Sequence, residues 1–188
     1  MLELSLHVLD LFQNALEAGA TRIQLEIVED VAQNRLSISV EDNGRGMSRE
    51  ALARIDDPFF TTRKTRRVGL GIPLLKAAAR RCNGDVRVTS KLGVGTRVEA
   101  DFERDHIDRA PLGDMTGTLL GFILTSPADG EACDIHYTHR LDGRTFTFDT
   151  REIREVLGGV SLMHPRVRRW MEDFMERGFR DLYRNPSF

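Results

Sequence analysis

From Leu2 to Ala18 the polar residues Glu3, His7, Asp10, Asn14 and Glu17 recur at steps of four and three. A helix over this span gathers them into one stripe, with Leu6, Leu9, Leu16 and their neighbours around the rest of the cylinder. A helix that is apolar nearly all round is buried, so its single polar stripe must line something wet. Any fold built on this chain therefore has to cover most of that helix and leave one seam open along Asp10 and Asn14. Gly19 is the expected C-cap.

The segments that follow supply the covering layer. Arg22 to Val28 and Arg35 to Glu41 alternate apolar and polar residues and are joined by a polar connection, which predicts an antiparallel strand pair. Ser48 to Ile55 reads as a short helix capped by Ser48, with Ala51 where a capping box would put Glu or Gln. Gly71 to Cys82 predicts a second long helix, with Pro73 tolerated in its first turn and Asn83-Gly84 closing its end. Asp85 to Ser90 and Thr96 to Phe102 alternate as strands around the turn Lys91-Leu92-Gly93-Val94-Gly95. Paired neighbouring strands interleaved with helices give an α/β fold, an α+β two-layer sandwich with a mixed sheet covered by helices on one face.

After Phe102 the pattern changes. Glu103 to Asp114 is polar, contains Pro111 and Gly113, and is the expected linker. Thr118 to Thr125, Ala132 to Arg140 and Arg144 to Asp149 read as three strands, the last two turned by Asp142-Gly143. Thr150 to Leu157 and Arg166 to Arg184 are expected helices. The division is thus a domain over residues 1–103 and a C-terminal α+β extension over 104–188.

The chain has 188 residues, enough for a self-sufficient core. With 27 Lys and Arg against 29 Asp and Glu, the net charge of -2 gives no general attraction to nucleic acid or an anionic membrane. Apolar runs are far short of the ~20 residues that cross a bilayer. Two cysteines, Cys82 and Cys133, make no disulfide framework and suit a reducing compartment. No basic leader precedes the first helix, so a cytoplasmic location without membrane or specific nucleic-acid partners is expected. Cys133, His136 and His139 have an inviting spacing for a metal, but steps of three alternate faces on a strand. Met163, Met171, Phe174, Met175 and Phe179 form an apolar stripe suited to core or to a homodimer seam.

Two motifs carry chemistry. Asp42-Asn43-Gly44-Arg45-Gly46-Met47 ends a strand with a carboxylate and two glycines. An ionised carboxylate only accepts hydrogen bonds, so it suits the exocyclic amine of adenine and repels the O6 of guanine. The glycines permit a sharp turn and a close backbone approach. Gly69-Leu70-Gly71 opens a helix, where N–H groups and the helix dipole favour phosphate.

Taken in order with Asp10-Leu11-Phe12-Gln13-Asn14-Ala15 and Asp57-Pro58-Phe59-Phe60-Thr61-Thr62-Arg63, these blocks resemble the ATP-binding domain shared by DNA gyrase, heat-shock chaperones, histidine kinases and mismatch-repair ATPases, the GHKL family or Bergerat fold. Residues 1 to about 103 carry the resemblance. It implies Mg2+ on Asn14 and adenine read by Asp42. It also implies ATP contacts from Ala18, Gly44, Gly46, Met47, Phe60, Thr61, Thr62, Arg63, Gly69, Leu70, Gly71 and Thr96. Asp10 stands one turn before Asn14, where hydrolysing members tend to have Glu and many kinases have Asn, and would be the base. Asp is one methylene shorter than Glu, and a misplacement near 1 Å costs about 10²-fold in rate. Glu17 stands where some kinases have a phosphate-facing Lys, which leaves Arg63, Lys64, Arg66, Arg67 and magnesium to neutralise the phosphates. A histidine kinase would need a phospho-accepting histidine upstream, and only six residues precede His7. Two functions follow. One is a Mg-ATP-binding regulatory or accessory subunit of a partner protein, gated by a basic Thr61–Arg67 lid. The other is a kinase of Ser or His in a partner, or a slow ATPase.

Overall fold

The structure is a computed structural model and describes residues 2–55, 70–125 and 133–184. The elements in chain order are α1 (Leu4–Glu17), β1 (Arg22–Asp30), β2 (Arg35–Asp42), α2 (Arg49–Ala53), α3 (Gly71–Arg81), β3 (Val86–Lys91), β4 (Gly95–Glu103), α4 (Met115–Thr125), β5 (Asp134–Leu141), β6 (Arg144–Asp149), α5 (Thr150–Leu157) and α6 (Pro165–Tyr183). The six strands form one mixed sheet in the order β3-β4-β2-β1-β5-β6. Every pairing is antiparallel except β1 with β5, which is parallel.

The strands obey their period of two. Ile23, Leu25 and Ile27 of β1, Leu36, Ile38 and Val40 of β2, Val98, Ala100 and Phe102 of β4, and Ile135, Tyr137 and Leu141 of β5 point one way and are buried. Helices α1, α3, α4 and α6 lie over that face and share its core. The other face carries Gln24, Glu26, Ser37, Ser39, Glu99 and Asp101, exposed or half-buried. Arg35–Asp101 at 2.6 Å, Arg97–Glu41 at 3.0 Å and Arg140–Glu26 at 2.7 Å cross this face, at exposures where such pairs contribute little.

The ends form as their residues require. The C-cap of α1 is Ala18, one residue earlier than expected, and Gly19 follows it with φ +74, while Ala20 N–H closes on Ala15 O at 3.0 Å. Ser48 Oγ accepts from Ala51 N–H at 3.2 Å and caps α2. Asp142 and Gly143, with φ 45 and 83, make the tight β5–β6 turn.

One predicted strand is a helix. Thr118 to Thr125 belongs to α4, which begins at Met115 with Asp114 Oδ1 accepting from Gly117 N–H at 2.7 Å. Its large apolar residues take up one broad side, with Leu119, Leu120, Phe122 and Ile123 buried, while Gly117 and Gly121 lie exposed on the other. The unbroken apolar-and-glycine run from Leu119 to Leu124 shows neither period, so length and capping, not alternation, decide it.

The expected linker is also bound in place. Carbonyls of Pro111 and Leu112 accept from Leu4 N–H at 2.9 Å and Ser5 N–H at 2.8 Å, satisfying two donors that the start of α1 leaves open. Phe12 of α1 meets Phe122 of α4 edge-on, with ring centroids 4.8 Å apart. Residues on both sides of position 103 thus contribute to one core. In α6, Met171 and Met175 are fully buried while Phe174 and Phe179 pack against the core, so the Met–Phe stripe is core; Met163 stays exposed.

Candidate nucleotide site

One row of the sheet builds the site. The registers place Ser90 opposite Thr96, Thr96 opposite Asp42, Asp42 opposite Ile23, and Ile23 beside Ile135. By parity each of these side chains is on the helix-covered face, at the end where β2 leaves the sheet. Asp42 and Thr96 are half-buried there, beyond the apolar rows.

The loop after Asp42 is stitched down on two sides. Toward α1, Arg45 N–H donates to Ala18 O at 2.8 Å and the Arg45 guanidinium to Glu17 O at 2.9 Å. Asn43 Oδ1 accepts from Thr21 and Arg22 N–H, both at 2.9 Å, while its amide donates to Thr21 Oγ1 at 2.9 Å. Toward the β3–β4 turn, Gly93 N–H donates to Arg45 O at 2.7 Å and Met47 N–H to Ser90 Oγ at 2.9 Å. Such closeness explains the glycines. A Cβ on Gly44 would lie 2.8 Å from the Ala18 Cβ, one on Gly46 2.1 Å from Lys91 O, and one on Gly95 1.9 Å from Asp42 O. Gly46 and Gly95 also hold φ of +64 and +140.

Asp42 is a constrained acceptor. Its Oδ1 takes Gly44 N–H at 2.8 Å. Burial raises the carboxyl above its usual range, opposed by hydrogen bonds from the backbone of Gly44 and Thr96. Cys133, buried just before β5, has its thiol pushed up to about 12 by burial, and the nearby charges of Asp134 and Asp42 act the same way. It is a packing thiol, and no disulfide joins it to Cys82.

The second half of the seam lies between α1 and the start of α3. The position of a Cβ on Gly71 is 3.7 Å from Asn14 Nδ2 and 3.8 Å from Asp10 Oδ2, so both half-buried side chains of the stripe reach the first residue of α3. The first-turn N–H groups of that helix have no intrahelical acceptor. Leu70, next to Gly71, is exposed. His7, on the same stripe, is buried, which lowers its pKa, and its Nδ1 has no hydrogen-bond partner among the described residues.

The structure thus groups Ala18, Asp42, Gly44, Gly46, Met47 and Thr96 around the end of β2, and Asp10, Asn14, Leu70 and Gly71 around the start of α3, with α1 common to both groups. Phe60, Thr61, Thr62, Arg63 and Gly69, with the rest of the expected lid, lie outside the described residues. Ser90 and Asn43 were not among the expected site residues. Asn43 was visible inside its motif, whereas Ser90 acquires its place only from the β3–β4 register. Of the spaced Cys133, His136 and His139, His136 pairs with Asp149 at 2.9 Å and His139 with Glu29 at 3.1 Å. No group of three metal-ligating side chains occurs among the described residues.

Among those residues no helix is long and apolar enough to cross a membrane. Comparison with known proteins matches residues 2–106 to the family described as histidine kinase-, DNA gyrase B- and HSP90-like ATPase. Part of the chain is similar to the sensor protein kinase FleS of Pseudomonas aeruginosa, 42% identical over 89 residues, covering 47% of this chain and 22% of that protein. The signal transduction histidine-protein kinase AtoS of Escherichia coli is 36% identical over 89 residues, 47% of this chain and 14% of AtoS. Sensor histidine kinase YvrG of Bacillus subtilis is 25% identical over 99 residues, 50% of this chain and 17% of YvrG. In each case the likeness spans less than a quarter of the relative's length. With more than half its length matched, the chain belongs to the histidine kinase-, DNA gyrase B- and HSP90-like ATPase family.

Proposed function

We propose that the seam binds Mg-ATP and that the protein is a nucleotide-gated regulatory or accessory subunit. The observation that carries this reading is the Asp42 carboxylate. It is fixed on one side by Gly44 N–H and stands on the helix-covered face of the sheet, the face on which α1, bearing Asn14 and Asp10, and α3 lie. An acceptor-only group at one end and an N-terminal helix turn at the other match the two ends of ATP in chemistry.

The donor set fits magnesium. Mg2+ is usually held by one or two protein oxygens together with phosphates and waters, so the Asn14 amide, with Asp10 a turn away, is sufficient from the protein. When bound, the ion would neutralise phosphate charge. The chain's own contribution is positioning, with Asp42, Thr96 and Met47 at the base end and Gly71 and Leu70 at the phosphate end, while Phe60, Thr61, Thr62, Arg63 and Gly69 are nucleotide contacts that the family resemblance alone implies. We assign nucleotide binding to residues 1–103, in a cytoplasmic, reducing setting, beside a C-terminal portion, residues 104–188, whose β5 and β6 extend the same sheet.

The names of the relatives favour a second reading, in which the γ-phosphate passes to Ser or His of a partner protein or to water. Asp10 weighs against efficient hydrolysis, because a carboxylate one methylene shorter than Glu holds water differently. Titration calorimetry with Mg-ATP tests the site. Release or transfer of labelled γ-phosphate, measured alone and with partners, separates the two readings. Absence of any Mg-ATP binding at millimolar concentration refutes both.

A further inference from the structure

We infer that Ser90 is a positioning residue that fixes the proton of the Thr96 hydroxyl and so makes Thr96 a second hydrogen-bond acceptor beside Asp42, sharpening selection of a 6-amino purine. The inference rests on the nucleotide reading above and deepens it.

A proton inventory carries the argument. Ser90 Oγ has three partners at 2.9 Å: Met47 N–H, Gly95 O and Thr96 Oγ1. A hydroxyl has one proton and two lone pairs. Met47 N–H can only donate, so it occupies one lone pair. The Gly95 carbonyl can only accept, so it takes the Ser90 proton. One lone pair remains, and the Thr96 hydroxyl must donate into it for all three contacts to be hydrogen bonds. With its proton directed at Ser90, Thr96 offers only lone pairs to the seam.

Thr96 is opposite Asp42 in the β2–β4 register, on the same helix-covered side. Two acceptors side by side suit an exocyclic amine, which brings two N–H donors, and disfavour an oxo group at the same ring position. Without Ser90 the Thr96 proton is free to turn and donate, which removes the share of the disfavour that Thr96 supplies and leaves only that of Asp42. Half-buried Ser90 is itself held by strand pairing with Thr96, so its direction is built in before a ligand arrives.

The test compares Mg-ATP with Mg-ITP, which carries an oxo group in place of the amine, by titration calorimetry on the full chain. In Ser90→Ala, ATP affinity falls about fivefold to tenfold while ITP affinity holds or rises. The ratio of the two dissociation constants therefore shrinks by at least fivefold. Ser90→Thr, which keeps the hydroxyl, retains the natural ratio. A loosened Met47 loop alone weakens both nucleotides equally, and an unchanged ratio in Ser90→Ala overturns the inference. Should Ser90→Ala not fold, Thr96→Val decides the matter, because removing the acceptor must also shrink the ratio and an unmoved ratio overturns the role given to Thr96. If the natural chain binds neither nucleotide, the nucleotide reading itself fails; if it binds ATP and the ratio ignores Ser90, only this inference fails.

Discussion

Asp42→Asn separates recognition from folding more cleanly than any other change in the seam. The carboxylate has one oxygen committed to Gly44 N–H at 2.8 Å and also receives the backbone of Thr96. Its amide replacement has one acceptor and one donor. If the acceptor stays with Gly44, an NH2 group faces the adenine amine, donor against donor. If the amide flips, the NH2 faces Gly44 N–H instead. The arrangement that keeps the Gly44 bond therefore loses the charged acceptor of the adenine amine, worth about 1.5–3 kcal/mol, which corresponds to a weakening of ATP binding by about tenfold to 150-fold. Stability moves differently. Burial raises the Asp42 carboxyl in the folded state, so the ionised form costs stability as pH rises above its unfolded value. Removing the charge therefore leaves the nucleotide-free melting temperature at neutral pH unchanged or higher. The assay is calorimetric titration with Mg-ATP beside thermal melts without nucleotide. An affinity within threefold of the natural chain, or a weakened affinity accompanied by an equally lowered melting temperature, would refute this account of Asp42.

Three further outcomes follow from the packing. Gly46→Ala puts a Cβ 2.1 Å from Lys91 O at a residue with φ +64, so it should lower the melting temperature by several degrees and abolish binding; an unaltered melt would contradict the stitched loop. Glu29 is desolvated, yet hydrogen bonds from His139 and Tyr183 and the charge of Arg104 hold its carboxyl at about 2, below the usual 4.5. Its stabilisation is therefore present above pH 4.5 and lost as pH falls toward 2, up to about 3 kcal/mol. Glu29→Gln should flatten acid denaturation over that window, though not entirely, because Asp149 is also held low by Arg151 and His136; identical acid curves for the two proteins would count against it. A chain ending at residue 103 removes β5 from beside β1, Phe122 from Phe12 and the carbonyls that cap α1. At ~1.5–3 kcal/mol for each large apolar side chain stripped of cover, the loss exceeds a typical domain's stability, and a cooperative melt of that fragment would disprove the shared core.

What could be read ahead of the structure was whatever local chemistry decides. The β1–β2 and β5–β6 pairs follow from alternation and turn residues, and α1 from its stripe, because those signals lie within a few residues of one another. The all-apolar run in α4 carries no period, so its sequence matches a buried strand and a buried helix alike. The parallel pairing of β1 with β5 joins Arg22 to Asp134 across more than half the chain, and no local signal reports it. Resemblance supplied the candidate site residues, but not Ser90. Nothing in Val86–Lys91 distinguishes it from any other alternating serine until the register sets it against Thr96.

The glycines mark where sequence and geometry differ in meaning. As a motif they suggest backbone approaching a ligand, yet Gly44, Gly46 and Gly95 are each required by another part of the protein: Ala18, Lys91 and Asp42. Gly71 is the exception. A Cβ there would meet Asn14 and Asp10 at 3.7–3.8 Å, which is ordinary contact, and its φ lies outside the left-handed region. Packing among the described residues therefore permits alanine at the first residue of α3, and helix propensity favours it by at most about 1 kcal/mol. The remaining reason for glycine is on the open side of the seam, where a phosphate approaching the first-turn N–H groups needs bare backbone. Gly71→Ala is thus expected to melt at the same temperature or slightly higher while binding Mg-ATP at least tenfold more weakly, with adenosine, which lacks phosphates, bound as before. Equal loss of adenosine and ATP would mean that Gly71 serves the fold of the seam and not its phosphate end.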